Sequence, residues 1–277
     1  MSITTRTGVL AGLAAGAIAL TGCGTSNPSA DAGASSNRGS SSSSSAGQSA
    51  CASGSLKAEG STAQKNAMEQ WIKSFQDSCS GTTITYNGTG SGAGVSNFIA
   101  KQADFAGSDS ALDPAKGEVA KATAVCGSPA LNLPMVTGPI AVAYKVNGVK
   151  DLTLTPQVIT RIFLGKITSW DDPAIKALNP AASLPSTPIT VFYRSDSSGT
   201  TQNFEKYLAA NDPTDFTSKP DKDSSKAGFA GQGKTGSQGV QQAIGSTDGA
   251  IGYVEWSFAV SGNLNTAKVD NGGGPVE

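Results

Sequence analysis

The stretch Arg194-Ser195-Asp196-Ser197-Ser198-Gly199-Thr200-Thr201 decides how this chain is read. Residues 188–193 (Pro-Ile-Thr-Val-Phe-Tyr) precede it and are β-rich. Phe204, Tyr207 and Leu208 follow at i, i+3, i+4 spacing, which predicts a helix with one apolar face. The local order is therefore strand, small-residue turn, helix. An arginine stands at the strand end and hydroxyls stand at the helix start. The first N–H groups of a helix lack intrahelical partners and carry the positive end of its dipole, so this arrangement suits an anion.

The same arrangement occurs twice upstream. Residues 54–59 form a short strand leading to Gly60-Ser61-Thr62-Ala63. A helix follows with Ala67, Met68, Trp71, Ile72 and Phe75 on one face, and Ser61 or Thr62 is expected to cap it. Residues 82–86 are β-branched and aromatic. They run into Gly88-Thr89-Gly90-Ser91-Gly92-Ala93-Gly94, and Val95, Phe98 and Ile99 mark the next helix. Ligands of open α/β sheets sit beyond the carboxyl ends of the strands. Thr62, Ser91, Ser198 and Thr200 can thus converge on one small anion, with Arg194 as a permanently charged planar fork. Asp196, two residues on, is expected to brace that fork.

Asp109 ends a third short strand (103–109) and is the informative residue. A carboxylate facing an anion is repulsive unless a proton lies between them. Hydrogen phosphate carries such a proton and sulfate does not, so Asp109 predicts rejection of sulfate. The competing structural role is a helix cap before Leu112-Asp113-Pro114, where a helix is expected to start.

Farther along, residues 131–146 are apolar but broken by Pro134, Gly138 and Pro139. That pattern predicts two strands with a bend, at a crossover between lobes. Thr155-Pro156 opens a helix, 164–173 reads as a turn, 211–238 is polar and turn-rich, and 250–255 is a last strand. Gly228-Phe229-Ala230-Gly231-Gln232-Gly233-Lys234-Thr235 fits the P-loop pattern by letter. A polar loop precedes it where that motif needs a hydrophobic strand, so a nucleotide site is set aside and a helix is expected from near Ser237.

Composition narrows the classes. A net charge of −1 disfavours nucleic acid as a partner, and the absence of histidine removes Ser-His-Asp and Cys-His catalysis and most zinc sites. The N-terminus carries Arg6, a short apolar run over 9–20, and Leu20-Thr21-Gly22-Cys23, a pattern resembling the bacterial lipobox. It implies cleavage before Cys23 and lipid attachment to that cysteine. The Ser/Gly-rich residues after it cannot bury enough apolar surface to fold and read as a tether. Cys51, Cys79 and Cys126 remain, and an exported chain favours one disulfide among them; spacing does not choose the pair.

Taken together, Gly60-Ser61-Thr62-Ala63, Gly90-Ser91-Gly92-Ala93-Gly94, Phe105-Ala106-Gly107-Ser108-Asp109, the run 165–173 (Gly-Lys-Ile-Thr-Ser-Trp-Asp-Asp-Pro), Arg194-Ser195-Asp196-Ser197-Ser198-Gly199-Thr200 and the run 249–255 (Gly-Ala-Ile-Gly-Tyr-Val-Glu) resemble, in order, the phosphate-binding lipoproteins of bacterial high-affinity phosphate ABC importers. The resemblance implies an α/β, two-lobed periplasmic-binding-protein (type II) fold, with mixed, mostly parallel sheets and the ligand cleft between the lobes. It further implies phosphate contacts from Thr62, Ala63, Ser91, Asp109, Arg194, Ser198, Gly199 and Thr200, with Asp196 behind Arg194. No catalytic residue, metal or cofactor is implied. The partners implied are inorganic phosphate, the permease subunits and the membrane through the lipid anchor, and the chain is expected to be a monomer.

The expected organisation is a signal peptide (1–22), lipidated Cys23 and tether (23–52), the first segment of lobe I (53–137), lobe II (138–256), and an incomplete start of a return to lobe I (257–277). The alternatives are a binder of another tetrahedral oxyanion, a secreted phosphate-ester hydrolase sharing the fold, and a surface adhesin with an incidental anion pocket.

Overall fold

The computed structural model describes residues 51–276. The expected signal peptide, Cys23 and most of the expected tether lie outside the described residues. The first part of the chain alternates strand and helix: β1 (Gly54–Gly60), α1 (Lys65–Ser78), β2 (Thr82–Gly88), α2 (Ser91–Ile99), β3 (Phe105–Gly107) and α3 (Glu118–Cys126). Its three strands pair in parallel in the order β2-β1-β3. Parallel neighbours require a crossover, and α1 and α2 supply it.

The second part contains β4 (Ile140–Lys145), β5 (Thr153–Leu154), α4 (Pro156–Phe163), α5 (Pro173–Leu178), β6 (Thr190–Arg194), α6 (Gly199–Asn211), β7 (Gln232–Lys234), α7 (Gly236–Ser246), β8 (Ala250–Glu255), α8 (Trp256–Ser261), β9 (Asn265–Thr266), β10 (Lys268–Asp270) and β11 (Pro275–Val276). Its main sheet has the order β7-β6-β8-β4-β9; β6 runs parallel to β7 and β8, and β4 antiparallel to β8 and β9. A small sheet, β11-β10-β5, lies beside it. Residues 257–276 were expected to start back toward lobe I, but here they pair with the second lobe, β9 on β4 and β10 on β5.

Most of the buried apolar mass belongs to this second lobe. Phe163, Phe204, Phe229 and Tyr253 form an aromatic cluster that pins α6 to β8, with Phe204 stacked on Tyr253 at 4.5 Å between ring centroids. Phe204 and Leu208 are buried, as the i, i+4 spacing predicts. Trp170 is fully buried, and its indole N–H donates to the Gly249 carbonyl at 3.0 Å. The first lobe is thinner. Met68 of α1 is buried, but Trp71 and Phe75 on the same predicted face stay about two-fifths exposed.

Three local expectations are corrected. Neither Ser61 nor Thr62 caps α1; the cap position is Gln64 without a side-chain bond, because both hydroxyls are engaged elsewhere. The helix after Asp109 starts at Glu118, not at Pro114: Asp113 closes a turn onto the Ala115 N–H, and Gly117 takes a left-handed φ of 68° before α3 begins. Residues 128–139 form no strand ladder. Pro134 and Pro139 lack the N–H a ladder needs, so pairing begins only at Ile140, and Leu131, Leu133 and Met135 remain exposed.

Cys51 and Cys79 form the disulfide and Cys126 is free. The bridge closes a loop across 28 positions and ties the start of β1 to the end of α1. Loop-closure entropy assigns such a bridge about 3.5 kcal/mol. Cys51→Ser with Cys79→Ser is therefore expected to lower the Tm by about 10 °C, measured by thermal denaturation against the oxidised wild type. An unchanged Tm would show that the first lobe does not depend on the link.

Candidate functional site

The carboxyl ends of β1, β3 and β6 and the N-termini of α2, α6 and α7 meet where the two lobes touch. Gly60 makes the approach possible. It sits at φ 141°, and a Cβ there would fall 2.0 Å from the Gly107 carbonyl oxygen of the adjacent strand. Ser61 then donates to Asp109 Oδ1, and Tyr86 donates to the Ser61 carbonyl at 2.7 Å, fixing the turn. Burial, with the Asp109 charge adding to it, pushes the Tyr86 phenol well above its ordinary range, so it remains a donor.

Asp109 is the centre of the first half of the site. Ser91 Oγ lies 3.2 Å from Asp109 Oδ2, and Thr200 Oγ1, from the second lobe, lies 3.3 Å from the same oxygen. The Asp109 carbonyl accepts from Asn203 at 2.9 Å. Asp109 is thus no helix cap; three hydroxyls from three turns surround it. Gly199 permits this closeness, because a Cβ there would stand 2.7 Å from Ser91 Oγ and 2.8 Å from Asp109 Cβ. The Gly92 N–H also donates to the Ser197 carbonyl at 3.0 Å, joining the two helix starts directly.

Arg194 is the centre of the second half. It is 1 % exposed at the end of β6. Its Nε donates to Asp196 Oδ1 at 2.7 Å and its Nη2 to Asp196 Oδ2, a bidentate pair. Asp196 also accepts from the Gly236 N–H at 2.9 Å. Burial alone would weaken the Arg194 charge, but the hydrogen bonds and charge of Asp196 outweigh it and raise the guanidinium above its ordinary value. Burial likewise pushes Asp196 up, and Arg194 more than reverses that, holding the carboxyl below the usual range. The Arg194 N–H donates to the Tyr253 hydroxyl at 3.2 Å, so the aromatic cluster also positions the arginine.

Ser237 joins the halves. Arg194 Nη1 donates to Ser237 Oγ at 3.1 Å, and Ser237 Oγ lies 2.8 Å from Thr62 Oγ1. The structure therefore gathers Thr62, Ser91, Asp109, Arg194, Thr200 and the brace Asp196 at one junction. Ser198 caps α6, accepting the Thr201 N–H at 3.2 Å, and the Ala63 N–H is bonded to Ser61 Oγ at 3.1 Å. Ala63, Asp109 and Thr200 also line a cavity of about 680 Å³.

Three residues at the junction escape the sequence reading: Ser61, Ser237 and Glu255. In the sequence Ser61 reads, with Thr62, as a candidate helix cap. Ser237 follows Lys234-Thr235-Gly236, a fourth strand, turn and hydroxyl at a helix start, which the P-loop-like letters obscured. That pattern is no phosphate loop, since Gln232–Lys234 is strand β7, paired with β6. Glu255 stands in the sequence only as the end of a strand motif; its Oε1 accepts the Thr200 hydroxyl at 2.5 Å.

Comparison with known proteins places these features in a family. A family model described as a PBP superfamily domain matches residues 45–276. The chain is 45% identical over 267 residues to the phosphate-binding protein PstS2 of Mycobacterium bovis, covering 95% of this chain and 69% of that protein. It is 44% identical over 268 residues to phosphate-binding protein PstS 3 of Mycobacterium leprae, covering 97% and 70%. Among solved structures, a putative phosphate ABC transporter substrate-binding protein with bound phosphate from Clostridium perfringens superposes with a TM-score of 0.61 at 24% identity, over 81% of this chain and 77% of that one. At that identity the likeness speaks to the fold alone, and the fold agrees with the expected two-lobed α/β architecture.

Proposed function

This chain belongs to the PstS phosphate-binding-protein family within the PBP superfamily, and on that footing we propose that it captures inorganic phosphate between its lobes and delivers it to an ABC-type phosphate importer. The observation that carries the reading is the meeting of one buried arginine, one proton-accepting carboxylate and hydroxyls from separate helix starts at a single interlobe junction. In this reading Arg194 supplies the charge, with Asp196 holding its fork. Thr62, Ser91, Ser198 and Thr200 supply hydroxyls, and the Ala63 and Gly199 N–H groups supply backbone donors. Asp109 accepts the phosphate proton. Charged hydrogen bonds are the strong ones, yet with one arginine the neutral donors do most of the work.

The protein acts as a binder and not an enzyme. Calorimetric titration with phosphate, then sulfate, tests this, beside incubation with a chromogenic phosphate ester. One-to-one phosphate binding, silence with sulfate and no ester turnover are expected. Sulfate binding of equal strength would point to a general oxyanion binder, and turnover to a hydrolase.

The proposal includes an extracytoplasmic, monomeric protein held to the membrane through Cys23. Among the described residues no helix is long and apolar enough to cross a membrane. One acyl chain alone gives marginal binding, so stable anchoring takes more than one. In a cell fractionation, the full chain is expected with the membrane and Cys23→Ser in the soluble fraction. Equal partition of the two would contradict the anchor.

A further inference from the structure

Among the described residues, two ion pairs cross from the first lobe to the second. Lys116 Nζ stands 3.2 Å from both carboxylate oxygens of Asp221. Lys222 Nζ stands 3.5 Å from Glu118 Oε1. Lys116 and Glu118 are two positions apart, and Asp221 and Lys222 are neighbours. Each lobe therefore offers one cation and one anion, and each meets its opposite across the gap. Opposed charges of this kind fix one register, because any shift sets like charges against each other.

Both halves are built into their lobes. In the turn before α3, the Asp113 N–H donates to Glu118 Oε2 at 2.7 Å and the Glu118 N–H to the Asp113 carbonyl at 3.0 Å, which leaves Glu118 Oε1 for Lys222. On the other side, residues 221–226 are bonded to the elements that carry the anion site. The Asp221 N–H donates to Glu205 Oε2 of α6 at 2.8 Å. The Ser198 N–H donates to the Lys222 carbonyl at 2.9 Å, and the Ser224 hydroxyl to the Arg194 carbonyl at 2.5 Å. The loop is thereby tied to β6 and to the start of α6.

The two pairs differ in weight. Lys116 is about two-fifths exposed, and Asp221 is shared with Lys226 at 3.2 Å, so that pair is open to salt and weak. The Lys222 side chain is 5% exposed, and its ammonium has no hydrogen-bond partner among the described residues. A buried ammonium is unfavourable without an opposite charge nearby. Here that charge is Glu118, which belongs to the other lobe, so parting the lobes takes it away.

We propose that these pairs form a charge clasp in which Glu118 and Lys222 are positioning residues that hold the lobes shut and set how fast the bound anion leaves. The identity of that anion rests on the phosphate reading above. Because the clasp forms only once the lobes meet, its loss accelerates release and leaves association nearly unchanged.

The test is release of radiolabelled phosphate from the full chain, chased with excess unlabelled phosphate, beside Kd from equilibrium dialysis. Glu118→Gln and Lys222→Met, which remove one charge each, are expected to speed release about tenfold. Their association rates, from the release rate and Kd, should stay within about threefold of wild type. The double variant should release about as fast as either single one, since the pair is already lost, whereas independent effects would multiply to about a hundredfold. Lys222→Arg, which keeps the charge, should stay within about threefold of wild type. Circular dichroism checks each fold, and if one single variant does not fold, the other decides. Unchanged release in a folded single variant, or multiplied rates in the double, overturns the clasp and leaves the phosphate reading standing. No phosphate binding by folded wild type overturns both.

Discussion

Asp109→Asn is expected to let sulfate into the site. Asp109 already accepts from Ser61 and Ser91, with Thr200 Oγ1 3.3 Å from its Oδ2, so the only further partner it can welcome on its carboxylate is another proton donor. A fully ionised oxyanion offers none and meets a like charge instead. Asparagine keeps the size of the side chain, removes the charge and adds an N–H donor. Sulfate should then bind within about tenfold of phosphate, while phosphate itself loses about tenfold to a hundredfold as its acceptor disappears. Titration of the variant with each ion checks this. Retained exclusion of sulfate would assign the selectivity to another group.

Arg194→Ala is expected to cause the largest loss of binding. The side chain is fully buried, bidentate to Asp196 and bonded to Ser237. Truncating one member of a buried, hydrogen-bonded charge pair costs about 2–5 kcal/mol, or about 30-fold to several thousand-fold in affinity. Part of the penalty falls on the fold, because Asp196 is left with the Gly236 N–H and no counter-charge. Arg194→Lys separates the two effects. It restores a charge near Asp196 without the planar fork, so stability should recover more than phosphate affinity does. Denaturation and titration of both variants measure the split, and equal affinity of Arg194→Lys and wild type would show that the fork geometry is dispensable.

The parts of this molecule that announce themselves locally were legible in the sequence. The helix after Arg194 shows its start in Ser198 and Gly199 and its buried face in Phe204 and Leu208, all within a few positions of one another. The same holds for β2, α2 and the last strand, where β-branched runs and glycine turns sit side by side. What escaped depends on partners far along the chain. Ser61 looks like a helix cap until β3 brings Asp109 beside it, 48 positions away. Ser237 matters because Thr62, 175 positions earlier, and Arg194 both reach it. Glu255 is an ordinary strand end until α6 lays Thr200 against it.

The overestimates have physical causes too. Trp71 and Phe75 fall on the predicted apolar face of α1, but the sheet beneath has only three strands and covers them incompletely. Residues 131–139 have the hydrophobicity of a strand, yet their prolines and the lack of a neighbouring strand among the described residues leave them unpaired. Asp113-Pro114 carries the letters of a helix start, but Gly117 provides the left-handed turn from which the helix departs.

The central claim is that the junction of Asp109, Arg194 and Thr200 holds phosphate and refuses sulfate because phosphate brings a proton. Equilibrium dialysis of the wild-type protein with radiolabelled phosphate against an increasing excess of sulfate tests it most directly. The account predicts one phosphate retained per chain and no displacement by sulfate at about a thousandfold excess. Displacement at comparable concentrations, or no retained phosphate by folded protein, would contradict it.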